Sequence, residues 1–352
     1  MQLFKTYLKM KKLFLISVLF VLTLTAMSQT PLVITEGEST IVYALPKTEL
    51  CIQVETEKTT LKPGMFYRYS ERYLATKNVI TEEKTTYRLK NVKVIPRPVP
   101  DPARTFSYIP SGQPTHISIN ANGILCGVNV PVEKEAECTK TTPQLVKDNT
   151  QQALLPLGEE YMMAGSEAKL AEGAAKQIYR IRESRLSLLT ADQDKLPSDG
   201  DSFKSMLDGM NAMESQLTEL FVGKTTKEIQ VQTIYLTPVA AVANDVLFRL
   251  SAIKGLVSSD DLSGTPYYIS IKPTDIRKSG NESKAKVEKT GIYSVLPSST
   301  LITIGDGVNT VSADQFLIPQ FGILLPLSES LFKQPAVKVS IDTRTGQLLR
   351  VE

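Results

Sequence analysis

The chain has 352 residues, a formal charge of +3, one histidine, three cysteines and no tryptophan. Residues 1–28 carry four lysines and no acid, so the other 324 residues have a net charge of 3 − 4 = −1. A near-neutral body lacks the positive field that draws nucleic-acid phosphates or anionic membrane surfaces, and both partners are set aside.

The first twelve residues hold Lys5, Lys9, Lys11 and Lys12, and Leu13 to Ala26 are apolar apart from Ser17, Thr23 and Thr25. That is a basic region followed by a short apolar one, the pattern of a cleavable signal peptide. The apolar run is too short for a membrane span. Ala26 and Ser28 are spaced for cleavage before Gln29, and no cysteine follows to be acylated, so a lipoprotein is not expected. The chain is expected to be exported from the cytoplasm.

The rest is too long for one ordinary core of about 100–200 residues. Three parts are expected after the leader at 1–28: an N-terminal β-domain over 29–142, a helical hairpin region over 143–224 and a C-terminal β-domain over 225–352. The fold class is α+β, mainly β, with two antiparallel, sandwich-like β-domains around the hairpin.

In the first part, Ile41–Leu45, Glu49–Glu57, Thr85–Ile95 and Thr105–Ile109 are rich in Thr, Val, Ile and Tyr, as strands prefer. Between the last two, Pro96, Pro98, Pro100 and Pro102 remove amide donors, which predicts an extended connection. Asn122-Gly123 between His116–Asn120 and Ile124–Val130 predicts a hairpin. Pro63-Gly64 opens a run with Phe66, Tyr67, Tyr69, Tyr73 and Leu74 that fits one or two helical turns. Phe66, Tyr69 and Tyr73 share helical spacing, so packing is the favoured role for that stripe, a ligand platform the other.

In the middle, Leu170, Ala174, Ile178, Ile181 and Leu188 recur near the helical period and predict a helix over Glu167–Thr190. A second helix follows Ser198, carries Phe203, Met206, Leu207, Met210, Met213, Leu217, Leu220 and Phe221, and stops at Gly223. The short link between them predicts antiparallel packing. Beyond Lys224 strands return at Glu228–Leu236, Asp245–Ala252, Tyr267–Lys272, Gly291–Leu296, Leu301–Ile304, Phe321–Leu325, Val337–Asp342 and Gln347–Val351. Glycine turns are expected at Asp306-Gly307 and Thr343–Gly346.

Catalytic equipment is sparse. The lone His116 has no G-x-S-x-G elbow to serve, and one histidine with three scattered cysteines makes no zinc site. The acids Asp192, Asp194, Asp199 and Asp201 suggest a calcium loop, but its register places Leu196, Pro197 and Phe203 in ligand or glycine slots. Arg180, Arg182 and Arg185 read as a solvated helix face. No catalytic, metal or cofactor residue is assigned, and no cofactor is expected.

Cys126 aligns with Ile124, Val128 and Val130 and reads as core, whereas Cys51 falls on the face of Gln53 and Glu55. Structural thiols are favoured over a Cys126–Cys138 disulfide. Tyr67, Tyr73, Tyr267 and Tyr268 are the candidate ligand or interface aromatics. Tyr267 and Tyr268 are adjacent in a strand and must face opposite ways.

Six stretches, Tyr43-Ala-Leu-Pro-Lys-Thr48, Pro63-Gly-Met-Phe-Tyr-Arg-Tyr69, Ile178-Tyr-Arg-Ile-Arg-Glu-Ser-Arg185, Asp199-Gly200, Leu217-Thr-Glu-Leu-Phe-Val-Gly223 and Gln320-Phe-Gly322, carry a resemblance in their order and spacing. The chain resembles a domain-of-unknown-function family of exported proteins of similar length from Gram-negative gut anaerobes. The resemblance implies a cell-envelope protein and supplies no site residues. The expected role is non-enzymatic: structure, assembly or interaction with an envelope or outer-membrane protein. The alternative is a β-module that binds polysaccharide or peptide, with a carboxylate hydrolase in third place.

Overall fold

A computed structural model describes residues 40–109, 116–132, 163, 165–190, 200–275, 290–328 and 337–352. The leader at 1–28, Cys138 and the acidic link from Asp192 to Asp199 lie outside the described residues. The described fold is mainly β with antiparallel sheets and three α-helices, as expected. Among the described residues, no helix is long and apolar enough to cross a membrane.

Its spine is a ribbon of two long antiparallel strands, β1 (Ile41–Lys62) and β2 (Lys84–Tyr108). Both were expected as pairs of shorter strands. In β1 the interruption at Pro46 is absorbed by a register shift after Ala44. The proline run of β2 is extended, as expected, but it is part of the ladder. Pro96, Pro98 and Pro100 face Leu50, Thr48 and Pro46, so every second residue is a proline. Amides at alternate positions point to the same edge, so these missing donors belong to the outer side of β2, which is the edge strand of its sheet.

The first sheet has the order β2-β1-β5, where β5 is Lys224–Leu236. The second has the order β10-β9-β8-β6-β7: β6 (Val242–Ser251), β7 (Gly255–Val257), β8 (Thr265–Pro273), β9 (Tyr293–Gly305) and β10 (Thr310–Pro326). The third has the order β12-β11-β4-β3, from the expected hairpins β3 (Ile117–Ile119) with β4 (Leu125–Val128) and β11 (Val339–Ile341) with β12 (Leu348–Val351). The boundaries expected at 142 and 224 are crossed by two ladders. β5 pairs with β1 from Lys224 to Leu236, and β11 pairs with β4 at Val339↔Val128. Edge completion explains the interleaving: β1 and β4 each bury a face, and each needs a second hydrogen-bonded neighbour that only the C-terminal third supplies.

β1 runs through two cores in turn and leads into a third. Tyr43 and Leu45 pack with Phe106, Leu125, Val128, Tyr293, Val295, Val339 and Ile341. Leu50, Ile52 and Val54 join Val92 and Val94 against Phe248, Ile269, Ile271, Ile302, Ile304 and Ile318, a sandwich of the first sheet on the second. Past Lys62, a 3₁₀ turn (Tyr67–Tyr69) and α1 (Ser70–Leu74) form the short helical run expected after Pro63. Phe66 is fully buried there against α2 (Glu167–Thr190) and α3 (Gly200–Val222), with Tyr69 and Tyr73 packed at the border of the same core.

Cys51 departs from expectation, for it is buried although it lies on the polar face of β1. Its neighbours on either side are Ile95 and Tyr235, and the Arg97 guanidinium stacks 5.4 Å from the centre of the Tyr235 ring. That cation–π pair reaches from β2 to β5 across β1, on the face that carries Cys51.

Candidate functional site

The seam between α2 and α3 combines polar chemistry with apolar surface. The C-terminal end of α3 is fixed first. Its last carbonyls accept from chain outside the helix, Leu220 O from the Phe66 amide and Val222 O from the Ile80 amide. A Cβ on Gly64 would stand 2.4 Å from Leu220 O, so glycine is what allows that approach.

From this anchor the seam divides into three zones. The inner zone is apolar and dry: Ala171, Ala174, Ile178 and Ile181 of α2 meet Leu217 and Phe221 of α3. Small alanines let the two helices close on one another.

The middle zone is polar. Arg182 Nε donates to Glu214 Oε1 at 2.6 Å, and Arg185 Nη1 donates to Glu214 Oε2 at 2.6 Å and to Asn211 Oδ1 at 2.8 Å. Desolvation works to raise the Glu214 pKa, but hydrogen bonds and charges from Arg182 and Arg185 outweigh it and hold the group below the usual carboxylate range. Glu214 is thus a fixed anion at neutral pH, suited to positioning rather than to proton transfer. A shallow open groove of about 320 Å³ runs beside this clasp, lined by Arg182, Arg185, Asn211, Glu214, Thr218 and Glu219 among others.

The outer zone is apolar again but open. Leu186 and Leu189 of α2 are 62% and 63% exposed and Met213 of α3 is 48% exposed, while Phe203, Met206, Leu207 and Met210 are half-buried. In α2 no residue beyond Ile181 is buried, and in α3 none before Leu217 is. The amphipathic pattern therefore outruns the core that would cover it.

The four aromatics read from the sequence separate into two pairs. Tyr67 and Tyr73 lie by the helices, both half-buried. The Tyr67 hydroxyl accepts from Arg68 Nε at 3.1 Å, and the Tyr73 hydroxyl donates to Ala168 O at 3.5 Å. Tyr267 and Tyr268 lie on β8. Tyr267 stacks on Phe248 at 4.9 Å and borders the sandwich core, and burial together with Asp306 raises its pKa. Tyr268 belongs to the opposite face, near the turn at Gly307. Cys126 is buried, with its thiol 3.6 Å from Ile124 O. His116 is exposed at the edge of β3, where its amide donates to Asn129 Oδ1. Among the described residues, no group of three His, Cys, Asp or Glu is placed to hold a metal ion.

Arg180 and Arg182 are exposed and Arg185 is half-buried, as a solvated face expects, and Arg182 and Arg185 in addition form the clasp on Glu214. The signal for it was in the helical period: Arg185 continues the row Ile178, Ile181, Leu188, and Glu214 continues Met210, Leu217, Phe221. A charge in an apolar row of one helix, matched by its opposite in the other, marks an ion pair across the seam, here a half-exposed one.

Residues that carried the resemblance converge in two places. Tyr43–Thr48 meets Gln320–Gly322, through Thr48 and Gln320. Pro63–Tyr69 meets Ile178–Arg185 and Leu217–Gly223, at the anchor and inner zone of the seam. No curated protein and no solved structure matches the chain. A family model does match, over residues 39–349, and the chain belongs to that family, described as a domain of unknown function (DUF4831).

Proposed function

We propose that this is a non-enzymatic exported protein of the cell envelope whose role is structural, in assembly or interaction, and that it docks a partner through the outer zone of the α2–α3 seam. The observation that carries this reading is apolar surface that the core leaves uncovered: Leu186 and Leu189, neighbours on one face of α2, and Met213 of α3 stand exposed, and Phe203, Met206, Leu207 and Met210 are half-buried. Apolar surface grouped in this way marks interaction sites more often than scattered single residues do. Methionine adapts to a partner's shape, and three of these seven residues are methionines. The ion clasp holds both helices in one alignment, so the surface is formed before a partner arrives and less ordering entropy is lost on binding.

The test is a photo-crosslinking residue placed at Leu189 in cells that express the full sequence, with Glu183 as the control position. A discrete adduct from Leu189 and none from Glu183 is expected. Equal background from both positions would refute docking at this surface.

A second reading, a module that binds an extended peptide, is favoured by a separate observation. β5 is an edge strand that runs for 13 residues and, among the described residues, has β1 as its one hydrogen-bonded neighbour, whereas β2 lacks outward donors from Pro96 onward. An open edge of that length can take a peptide as an added strand. Amide exchange along β5 that slows on addition of an envelope peptide extract would support this reading, and unchanged exchange would count against it.

A further inference from the structure

Every residue of β5 from Lys224 to Leu236 pairs with β1 without a register shift, and among the described residues no strand pairs with its other side. Thr48 and Leu50 of β1 turn their backbone groups toward β5, and Leu50 pairs with Leu236. Alternation along the strands therefore aims the backbone groups of Gln230, Gln232 and their even-numbered fellows at β1. Those of Thr225, Lys227, Ile229, Val231, Thr233 and Tyr235 point outward.

Edges are commonly guarded by prolines, bulges or charges. On β2, Pro96, Pro98 and Pro100 remove outward donors, and the Tyr87 amide is taken by Ala252 O. β5 has no proline and no bulge, and its charges are held inward. Lys227 Nζ lies 3.5 Å from Glu57 Oε1, and Lys58 Nζ lies 3.7 Å from Glu228 Oε2, with both partners on β1. On the face away from the second sheet, Ile229 is 45% and Tyr235 56% exposed. The edge is thus open in its backbone and carries apolar side chains beside it.

The residues on either side of Gln230, the midpoint of β5, complement one another. Antiparallel pairing of two β5 strands on a two-fold axis at Gln230 sets Ile229 opposite Val231, Lys227 opposite Thr233, Glu228 opposite Gln232 and Thr226 opposite Ile234. Branched apolar residues meet, polar ones meet, and no charge faces its like. An in-register parallel pairing would instead set Lys224, Lys227 and Glu228 beside their own copies. The antiparallel assembly also stops at two molecules. Its joined sheet, β2-β1-β5-β5-β1-β2, has β2 at both ends, where prolines leave a poor template for another strand. A foreign peptide would use the same outward groups but not the layout about Gln230.

Resting on the open edge of β5 and independent of docking at the helices, we propose that the occupant of this edge is β5 of a second copy of this chain. The two molecules then form a two-fold dimer with one continuous sheet.

Sedimentation velocity over a concentration series tests this with the chain purified from cells expressing the full sequence. A reversible monomer–dimer equilibrium with no larger species is expected. Val231→Pro removes an outward donor from each strand and leaves the bonds to β1 intact, so association weakens by about tenfold or more while the circular dichroism spectrum stays unchanged. Ile229→Lys, at an exposed side chain, places a charge opposite Val231 of the other copy and weakens association as well. Amide exchange supplies an alternating signature: Ile229, Val231 and Thr233 slow as concentration rises, whereas Gln230 and Gln232, bonded to β1 throughout, do not change. A chain that stays monomeric at every concentration overturns the proposal, as does a dimer indifferent to both substitutions. A monomer whose outward β5 amides slow only on addition of envelope peptide sinks self-association and leaves the peptide reading standing. Outward amides that slow in neither case sink both readings of this edge and leave the Leu189 crosslink to decide docking at the helices.

Discussion

The side-chain amide of Gln320 takes the place of a strand beside Thr48. The Thr48 amide donates to Gln320 Oε1 at 2.9 Å, and Gln320 Nε2 donates to the Thr48 carbonyl at 2.8 Å and to the Pro238 carbonyl at 3.1 Å. The reason is the length of β5. Its last pair with β1 is Leu236↔Leu50, and the backbone groups of Thr48, two residues on, point to the same side with no strand left to meet them. Thr48 is buried, so water cannot serve instead.

Gln320→Leu should then leave a buried N–H and C=O unsatisfied and cost about 2–4 kcal/mol. Gln320→Glu retains the acceptor toward the Thr48 amide but loses the donor, and should fall between Gln320→Leu and the unsubstituted chain. Chemical denaturation of the three proteins provides the ranking, and equal stability would show that the amide is dispensable.

Tyr43 is a second long-range tie. Its hydroxyl donates to Gly291 O at 2.8 Å and accepts from the Tyr293 amide at 2.9 Å, inside the core where the ribbon meets β9. Tyr43→Phe should cost about 1–3 kcal/mol. Burial, the larger influence, holds the phenol well above its ordinary pKa against the opposing hydrogen bond from Tyr293. The folded state keeps the proton while the unfolded chain releases it above about pH 10. Stability from this group is thus complete below that pH and declines as pH rises toward the folded value. Denaturation midpoints between neutral and alkaline pH should decline less steeply for Tyr43→Phe.

The helices were legible in the sequence because α2 and α3 are amphipathic and local signals bound them. Gly223, with φ of +88° and its amide bonded to Glu219 O, ends α3 at the residue the pattern indicates. Hairpins were legible for the same reason, since Gly123 and Gly346 adopt positive φ in short turns. The sheets were not, because pairing is a relation between distant residues. Nothing near Lys224–Leu236 says that its neighbour is β1, and nothing in the proline run says that its missing donors all face one edge. The site was half legible: its apolar row is periodic, whereas the pairing of Glu214 with two arginines needs the alignment of both helices.

Gly64 and Gly223 hold the helices to the ribbon in different ways. A Cβ at Gly223 would meet Lys62 O at 2.5 Å and would also be strained by the positive φ, whereas Gly64 faces only the collision with the backbone of α3. Alanine at either position should destabilise the protein, and Gly223→Ala, with both penalties, should do so more. Amide exchange supplies the check. Both variants should speed exchange in α3 while the sandwich around Ile52 and Ile302 stays protected, and uniform loss of protection would show that helices and sheets open together.

The prolines of β2 predict behaviour at the opposite edge. Pro98→Thr supplies an outward amide at the position facing Thr48 and leaves intact the pairing of Arg97 with Glu49 and Val99 with Lys47. An edge that regains a donor becomes a template for another strand. Light scattering at equal concentration should rise for Pro98→Thr and more for Pro96→Thr with Pro98→Thr. Unchanged scattering would mean that something other than the missing donors protects this edge.

The clasp at Glu214 decides between stability and alignment as the use of a charge in an apolar seam. With its folded pKa held below the unfolded value, Glu214 stabilises the protein above the ordinary carboxylate range and loses that contribution as pH falls through the lower folded value. Glu214→Gln should flatten that part of the acid transition and destabilise at neutral pH by about 0.5–1 kcal/mol, because two half-exposed guanidinium groups lose their shared anion. Replacing all three charges by leucine is the sharper test. Such substitutions are often near neutral or stabilising in a seam, since water screens much of the attraction in a half-exposed pair. If Arg182→Leu, Arg185→Leu and Glu214→Leu together raise the melting temperature yet broaden the amide resonances of α2 and α3, the clasp serves alignment. A triple variant that is less stable and still sharply resolved would assign it to stability instead.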